Sequence, residues 1–286
     1  MQLPDYLEGA ADLHVHSSPD IDPRRYDDFE LAREAARAGM SAVLLKSHQG
    51  STVERAMLAS KIVPGIRVCG GLALNAAVGG LNPEAVRLAL RLGARQVWMP
   101  TRSARNHRQV YGQGGGGISI LDETGAIVPA VDEILDLLAG TDCLLGTGHL
   151  SPEESLRLIA RARQRGVARI VVTHPEWSGT CFPIDAQRRL AEAGGVSFER
   201  CYVSTTHRCG CTPIETIADA IAAAGVGTTV LSTDLGQPDT PPPVEGLGLF
   251  TERLRGLGFS VDQLRQMAVT NPCRLLAVEV RQGAAR

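Results

Sequence analysis

The chain has 286 residues, of which 44% are hydrophobic and 4% aromatic, with 29 Lys and Arg against 31 Asp and Glu. This length fits one large domain over 1–286, and neither the formal net charge of -2 nor the few aromatic residues favour a nucleic-acid or membrane partner. The N-terminal segment lacks the pattern of a signal peptide, and no apolar run reaches transmembrane length. Seven unevenly spaced cysteines are typical of a reducing compartment, so we expect a cytoplasmic protein.

Short, β-branched strands alternate with helices along the chain, which predicts an α/β fold with parallel strands. The predicted strands cover 10–16, 41–46, 67–74, 95–99, 143–149, 169–174, 196–203 and 227–234. The predicted helices cover 27–39, 51–62, 82–93, 129–139, 151–166, 184–193, 212–224, 244–257 and 260–269. Eight such units favour a closed (β/α)8 TIM-type barrel. An open doubly wound sheet would need a glycine-rich turn after the first strand, where this chain has His14-Val15-His16.

The regular alternation breaks between 100 and 129, which makes the predicted barrel a distorted one. Five glycines lie between Gly112 and Gly117, and no periodic pattern covers the segment. A long irregular segment of this kind is typical of a functional loop or lid. A disordered excursion is the alternative.

Polar residues stand at the C-terminal ends of most predicted strands. They are His14 and His16 on the first, Lys46 and His48 at the second, His149 on the fifth, His174 on the sixth, Glu199 on the seventh and Asp234 on the eighth. In a barrel these ends meet on one face, where barrel enzymes place their active sites. Imidazoles with a carboxylate suit a divalent ion, zinc first, with Mn, Fe or Co as alternatives.

This arrangement resembles the amidohydrolase superfamily of metal-dependent hydrolases. The resemblance covers nearly the whole chain and includes Gly146-Thr147-Gly148-His149, Val171-Val172-Thr173-His174 and the closing Asn271-Pro272-Cys273-Arg274. Within the superfamily the chain is most similar to an uncharacterised, amidohydrolase-related family of unknown function. The resemblance implies a barrel and metal-dependent chemistry without implying a substrate.

The chain departs from this superfamily on the fourth strand, where two-metal members usually carry a bridging Lys or Glu. Here the strand ends with Trp98-Met99-Pro100. Lys46 could supply a bridge if carboxylated, since a lysine at the end of an apolar strand is costly to bury unpaired. It could instead bind an anionic substrate group or a neighbouring acid. Without a bridge, we expect one metal on His14, His16, His149 and Asp234, with His174 as acid/base or substrate contact.

The expected reaction is hydrolysis of a C–N or C–O bond in a small cyclic or carboxylate-bearing molecule. Asp234 is the expected general base and proton donor, and His174 or Lys46 would stabilise a developing oxyanion. The expected substrate contacts are His48, Arg102, Arg105, His107, Glu199 and His207. Solvated loop arginines are the alternative at 102 and 105, and His207 with Cys209 and Cys211 could instead form a separate zinc site.

Three alternatives to this function remain open. One is a phosphoesterase of the polymerase-and-histidinol-phosphatase type, against which the Leu235-Gly236 that follows Asp234 counts. Another is decarboxylation or isomerisation on the same ligands, and the last is a non-catalytic metal-binding barrel. We expect a small-molecule substrate and assembly as a homo-oligomer.

Overall fold

The computed structural model describes residues 3–114 and 116–281. Its sheet has eight parallel strands in sequence order. The strands are β1 (Ala11–Val15), β2 (Ala42–Leu45), β3 (Arg67–Ala73), β4 (Gln96–Trp98), β5 (Leu144–Gly146), β6 (Ile170–Thr173), β7 (Val196–Cys201) and β8 (Thr229–Ser232). Almost every strand residue is buried, as expected for a parallel sheet covered by helices outside and filled by side chains inside.

The helices form the outer layer. They are α1 (Asp28–Arg37), α2 (Val53–Ile62), α3 (Pro83–Arg91), α4 (Arg105–Val110), α5 (Pro129–Leu138), α6 (Pro152–Gln164), α7 (Ile184–Ala193), α8 (Ile214–Ala224), α9 (Pro243–Gly256), α10 (Val261–Arg265) and α11 (Asn271–Leu276). Polar N-cap residues fix several helix starts, because a side-chain oxygen accepts hydrogen bonds from backbone N–H groups of the first turn that lack a helical partner. Ser151 and Glu154 form such a reciprocal cap at α6, as their spacing predicts.

Contacts between β1 and the end of β8 close the sheet into a barrel. The Asp234 N–H donates to the His14 carbonyl at 2.7 Å, and the His16 N–H donates to the Leu235 carbonyl at 2.8 Å. The buried Asp12 carboxylate accepts the Thr233 hydroxyl at 2.5 Å and the Thr233 N–H at 3.1 Å. The predicted (β/α)8 barrel is therefore confirmed.

Two glycines permit close approaches near the barrel centre. A Cβ at Gly146 would lie 2.5 Å from Cδ1 of Trp98, so glycine on β5 leaves room for this indole inside the barrel. Gly236 has a φ of 138°, and a Cβ there would lie 1.9 Å from the His16 carbonyl oxygen. The segment after β8 can therefore press against His16 only with glycine at this position.

The predicted boundaries differ from the structure mainly in two places. The irregular segment 100–129 contains the short helix α4, which no sequence period indicated, and Gly115 within its glycine run lies outside the described residues. The helix predicted over 260–269 is α10 followed by a π-helical turn, Gln266–Thr270, which continues into α11. Among the described residues, no helix combines the length and the apolar character that a membrane span requires.

Candidate metal centre

Three donor atoms converge at the C-terminal mouth of the barrel. Two come from β1 and the residue just after it, and the third comes from the segment after β8. Alternation along β1 and just beyond it places His14 and His16 on one face, and Asp234 lies two residues beyond β8. Oδ1 of Asp234 lies 3.0 Å from Nε2 of His14 and 3.0 Å from Nε2 of His16. The backbone contact between Asp234 and His14 that closes the barrel thus also sets the spacing of the donors.

This triad of His14, His16 and Asp234 fits a divalent metal ion. All of its donor atoms lie within 4.8 Å of one another. Two ligands that bind one tetrahedral ion at 2.0–2.1 Å are about 3.3 Å apart, close to the spacing seen here. Burial lowers the pKa of His16 to about 3, which keeps its imidazole in the neutral form that binds metals.

The carboxylate of Asp234 stays ionised next to these imidazoles. Burial alone would raise the pKa of Asp234, but the charge and hydrogen bond of His14, with the hydrogen bond from His16, hold it well below its usual range. Burial would likewise lower the pKa of His14, yet the Asp234 and Glu199 carboxylates outweigh burial and raise it. The triad therefore presents an anionic oxygen between two imidazoles.

Lys46 joins the triad from the end of β2. Its Nζ lies 2.9 Å from Nε2 of His14 and 5.3 Å from the ring centre of Trp98, and only 1% of the residue is exposed. Burial lowers the pKa of this amine. An unprotonated lysine is the form that CO₂ carboxylates, so the placement is compatible with both roles considered for Lys46.

Glu199 contacts His14 from the side opposite to Asp234. Its Oε2 lies 3.2 Å from Nδ1 of His14, and neither side chain is exposed. Glu199 is not among the residues that line the cavity. Its carboxylate lies within the barrel against a histidine, an arrangement common behind metal ligands, and its role as a substrate contact stays a prediction.

Four further histidines, His48, His107, His149 and His174, line the cavity. Nδ1 of His149 lies 2.8 Å from Nδ1 of His107, and the rings of His149 and His174 are 4.9 Å apart. The ring of His48 stacks on His16 at 4.9 Å. Among the described residues, neither His149 nor His174 belongs to a compact group of three donors. Their role as metal ligands stays a prediction.

Asp234 and His174 both adopt a backbone conformation that is rare outside glycine. Their φ angles are 53° and 30°. Left-handed conformations in residues with a Cβ cost about 1–2 kcal/mol, and such strain concentrates at functional sites. Each residue follows a barrel strand directly, so the strained turn directs its side chain toward the mouth.

The cavity at this mouth has a volume of about 240 Å³. Residues from seven barrel loops and strand ends line it: His16, Arg24, His48, Arg102, His107, Tyr111, Gln113, His149, His174, Trp177, Val203, Ser204, Arg208, Cys209, Asp234 and Gln237. Four lining residues lie in segments without periodicity, and the sequence did not indicate them: Arg24, Tyr111, Arg208 and Gln237. The one signal that could have indicated Gln237 is its place in the loop that follows β8, three residues beyond Asp234.

The other predicted substrate contacts lie in different places. Arg102 lines the cavity, whereas Arg105 is exposed at the start of α4 and is not among the lining residues. His207 is also outside the lining, and its Nε2 lies 3.0 Å from Oδ2 of Asp239 at the surface. Across the described residues, no compact group of potential metal ligands includes Cys209 or Cys211. The separate zinc site considered there has no support.

Asn75 is a positioning residue that the sequence did not reveal. Its amide nitrogen donates to the His48 carbonyl at 3.0 Å and to the Thr101 hydroxyl at 2.6 Å, and its oxygen accepts the Thr101 N–H at 2.9 Å. The Thr101 hydroxyl in turn lies 2.8 Å from Nδ1 of His48. The ends of β2, β3 and β4 are therefore held together behind the cavity.

Comparison with protein families places the chain in a family of unknown function. The model of that family, DUF6282, matches residues 9–199, which is more than half of the chain. The chain belongs to this family. No curated protein matches.

Solved structures with the same fold include several enzymes. An amidohydrolase from Pseudomonas aeruginosa aligns with a TM-score of 0.62 and 12% identity, covering 96% of this chain and 98% of that one. A dihydroorotase from Saccharomyces cerevisiae in complex with 5-fluoroorotic acid gives 0.58 and 11%, with 98% and 86% covered. A 2,6-dihydroxybenzoate decarboxylase from Rhizobium gives 0.54 and 15%, with 97% and 99% covered. At these identities the likeness shows the barrel fold.

Replacing Glu199 with glutamine tests whether it supports a metal ligand. We expect Glu199→Gln to weaken zinc binding about 10–100-fold, the usual effect of losing a carboxylate behind a ligating histidine. Competition against a chromogenic chelator measures the affinity, and Glu192→Gln, on the exposed side of α7, is the matched control. Unchanged affinity in a folded Glu199→Gln protein would show that the carboxylate does not act on a metal site.

Proposed function

We propose that this chain is a metal-dependent hydrolase of the amidohydrolase superfamily that cleaves a C–N or C–O bond in a small, carboxylate-bearing molecule. The observation that carries the proposal is the convergence of Nε2 of His14, Nε2 of His16 and Oδ1 of Asp234 at the mouth of the barrel. A barrel of this type places its chemistry at that mouth. The names of the similar structures support the reaction class, since they include an amidohydrolase and a dihydroorotase.

His14, His16 and Asp234 would hold the ion, and zinc best matches two imidazoles and a carboxylate. Mn, Fe and Co remain alternatives with the same ligand types. When bound, the ion would act as a Lewis acid and would lower the pKa of a water molecule to about 7. Glu199 would hold His14 in the tautomer that leaves Nε2 free to bind.

Asp234 is the proposed general base and then the proton donor. Its side chain is 15% exposed, and Asp234 lines the cavity, so a water molecule or a leaving group can reach its carboxylate. A carboxylate that accepts a proton from the attacking water can return it to the leaving amine or alcohol. The strained backbone at Asp234 fixes the direction of that transfer.

His174 faces the same cavity and is the proposed second polar contact to the reacting group. Burial lowers its pKa to about 3, so the imidazole is neutral at neutral pH and can donate one hydrogen bond. Its Nδ1 is buried and has no partner within the described part of the chain. A substrate oxygen in the cavity would supply a hydrogen-bond partner for this ring.

Decarboxylation is the second candidate reaction. One similar structure is a 2,6-dihydroxybenzoate decarboxylase. The described residues form two compact donor groups that share His14; His14, Glu199 and Cys201 are all buried, and only the triad with His16 and Asp234 reaches the cavity. In a one-metal site, His174 would serve as the acid/base if the carboxylate of a bound substrate raised its pKa, so that the imidazole took up a proton and passed it to the carbon from which CO₂ has departed. Measuring product CO₂ distinguishes this candidate from hydrolysis.

Replacing Asp234 with asparagine tests whether the chain is an enzyme. We expect the zinc-loaded wild type to hydrolyse members of a panel of carboxylate-bearing lactones and cyclic amides. Asp234→Asn should lower kcat/KM about 10²–10⁴-fold because the general base is lost, while circular dichroism and the Tm show a folded protein and elemental analysis shows that zinc is retained. Asp219→Asn, exposed on α8, is the matched control.

The same experiment separates an enzyme from a non-catalytic barrel. Equal turnover in Asp234→Asn and the wild type would remove Asp234 from the mechanism. If the zinc-loaded wild type converts neither the panel substrates nor the corresponding free carboxylic acids, this result would favour a non-catalytic metal-binding barrel.

Replacing Lys46 with alanine counts the metals. We expect one zinc per chain in both the wild type and Lys46→Ala, because one donor triad is present at the cavity among the described residues. Elemental analysis measures the ratio, and Lys61→Ala, at the chain's other lysine on the exposed side of α2, is the control. Two zinc ions in the wild type that fall to one in Lys46→Ala would instead establish a carboxylated Lys46 as a bridge.

A further inference from the structure

Three arginines stand where the metal cavity opens into an outer groove. Arg24, Arg102 and Arg208 line the cavity, and they also line an adjoining groove of about 300 Å³. They come from the loop after β1, the segment after β4 and the segment after β7. A molecule that extends outward from the donor triad therefore passes these three guanidinium groups.

Arg24 is a buried cation with part of its donor capacity unused. Its side chain is only 2% exposed, and its Nε and Nη2 donate to Oδ2 of Asp20 at 3.1 and 3.0 Å. Nη1 makes no hydrogen bond to any residue in the described ranges. Because Asp20 fixes one edge of the guanidinium, the other edge is preorganised for a ligand, and little rotamer entropy is lost on binding.

Aspartates also lie against the other two arginines, whose side chains are more exposed than that of Arg24. Nη1 of Arg102 lies 2.5 Å from Oδ2 of Asp22, and Nε of Arg208 donates to Oδ1 of Asp239 at 2.8 Å. Each guanidinium carries five donors, so both keep free N–H groups. Three arginines and three aspartates leave no formal excess charge at this rim. A rim without net charge suits a group that carries one negative charge, such as each carboxylate of a dicarboxylate, better than a phosphate, which concentrates two charges on one group.

Flat aromatic surfaces continue the lining beside the arginines. The rings of Tyr111 and Trp177 are 5.9 Å apart at an angle of 28°, and His107 lies 4.7 Å from Tyr111. All three line the cavity. Stacked faces of this kind bind a planar ring through dispersion and quadrupole contacts.

We infer that the substrate is a planar ring bearing a carboxylate, which the rim of Arg24, Arg102 and Arg208 binds while the ring packs on Tyr111 and Trp177. This inference rests on the proposed function and names its substrate class. Arg102 and Arg208 determine specificity from the solvent side, and Arg24 does so from within the cavity wall. Free N–H groups on fixed guanidinium planes bind the carboxylate, ideally as a bidentate pair.

Calorimetric titration of three probes tests the inference. Benzene-1,3-dicarboxylate, its diamide and phenyl phosphate are titrated into the wild type, Arg102→Gln and Arg208→Gln. Arg105→Gln is the matched control, since Arg105 is exposed and does not line the cavity. Arg24 is left intact, because its removal would leave the buried Asp20 carboxylate without its cationic partner. Each titration is run on zinc-loaded and on metal-stripped protein, with zinc content measured in parallel.

We expect the dicarboxylate to bind more tightly than both other probes. Arg102→Gln and Arg208→Gln should each weaken it about tenfold or more, the effect of losing one charge-assisted hydrogen bond, while Arg105→Gln leaves it unchanged. Equal binding in all four proteins, or a preference for the diamide or for phenyl phosphate, would overturn the inference. An arginine effect on metal-stripped protein without any zinc uptake would support the anion site and contradict the proposed metal chemistry.

Discussion

The closure of the barrel between β1 and the end of β8 is the constraint on which the site depends. Asp12 accepts hydrogen bonds from Thr233 across this seam, and the His14 carbonyl accepts the Asp234 N–H. Residues more than two hundred positions apart are thereby fixed at hydrogen-bond distance. The same contacts that complete the sheet therefore assemble the donor triad, so stability and site geometry are coupled at this point.

The interior around this seam is polar in a way that packing alone does not explain. His14 contacts Glu199, Lys46 and Asp234, and of these four residues only Asp234 is reached by solvent. Burying charged groups is costly unless they are paired, and replacing such a network with apolar residues often stabilises a fold. These groups lie at the mouth of the barrel, where two lining residues also have strained backbones. A catalytic or metal-binding role explains their presence better than a contribution to stability.

The sequence predicted the parts of the site that depend on periodicity. Strand alternation and the position of polar residues at strand ends located His16, His149, His174 and Asp234 on one cavity, with the buried His14 in contact with Asp234 behind it. It did not predict the direction of Glu199, because a residue on the inner face of a strand can point toward the mouth or contact a neighbour within the barrel. The contact between Glu199 and His14 depends on how β1 and β7 are placed across the barrel, which strand periodicity does not determine.

Loop contributions were the least predictable from sequence. The helix α4, which brings His107 and Tyr111 to the cavity, is six residues long and lies beside a glycine-rich run, so it shows no amphipathic period. Arg24 lies in a segment whose prolines and aspartates indicate only a loop. Its position is set by the contact with Asp20 and by the neighbouring loops, which are tertiary effects.

Anomalous diffraction from a zinc-loaded crystal tests the central claim most directly. We expect a peak at the zinc edge bonded to Nε2 of His14, Nε2 of His16 and Oδ1 of Asp234 at about 2.0–2.2 Å. Zinc found only elsewhere, such as between His207 and Asp239 at the surface, would contradict it. So would a map in which Asp234 remains hydrogen-bonded to the two histidines with no ion between them.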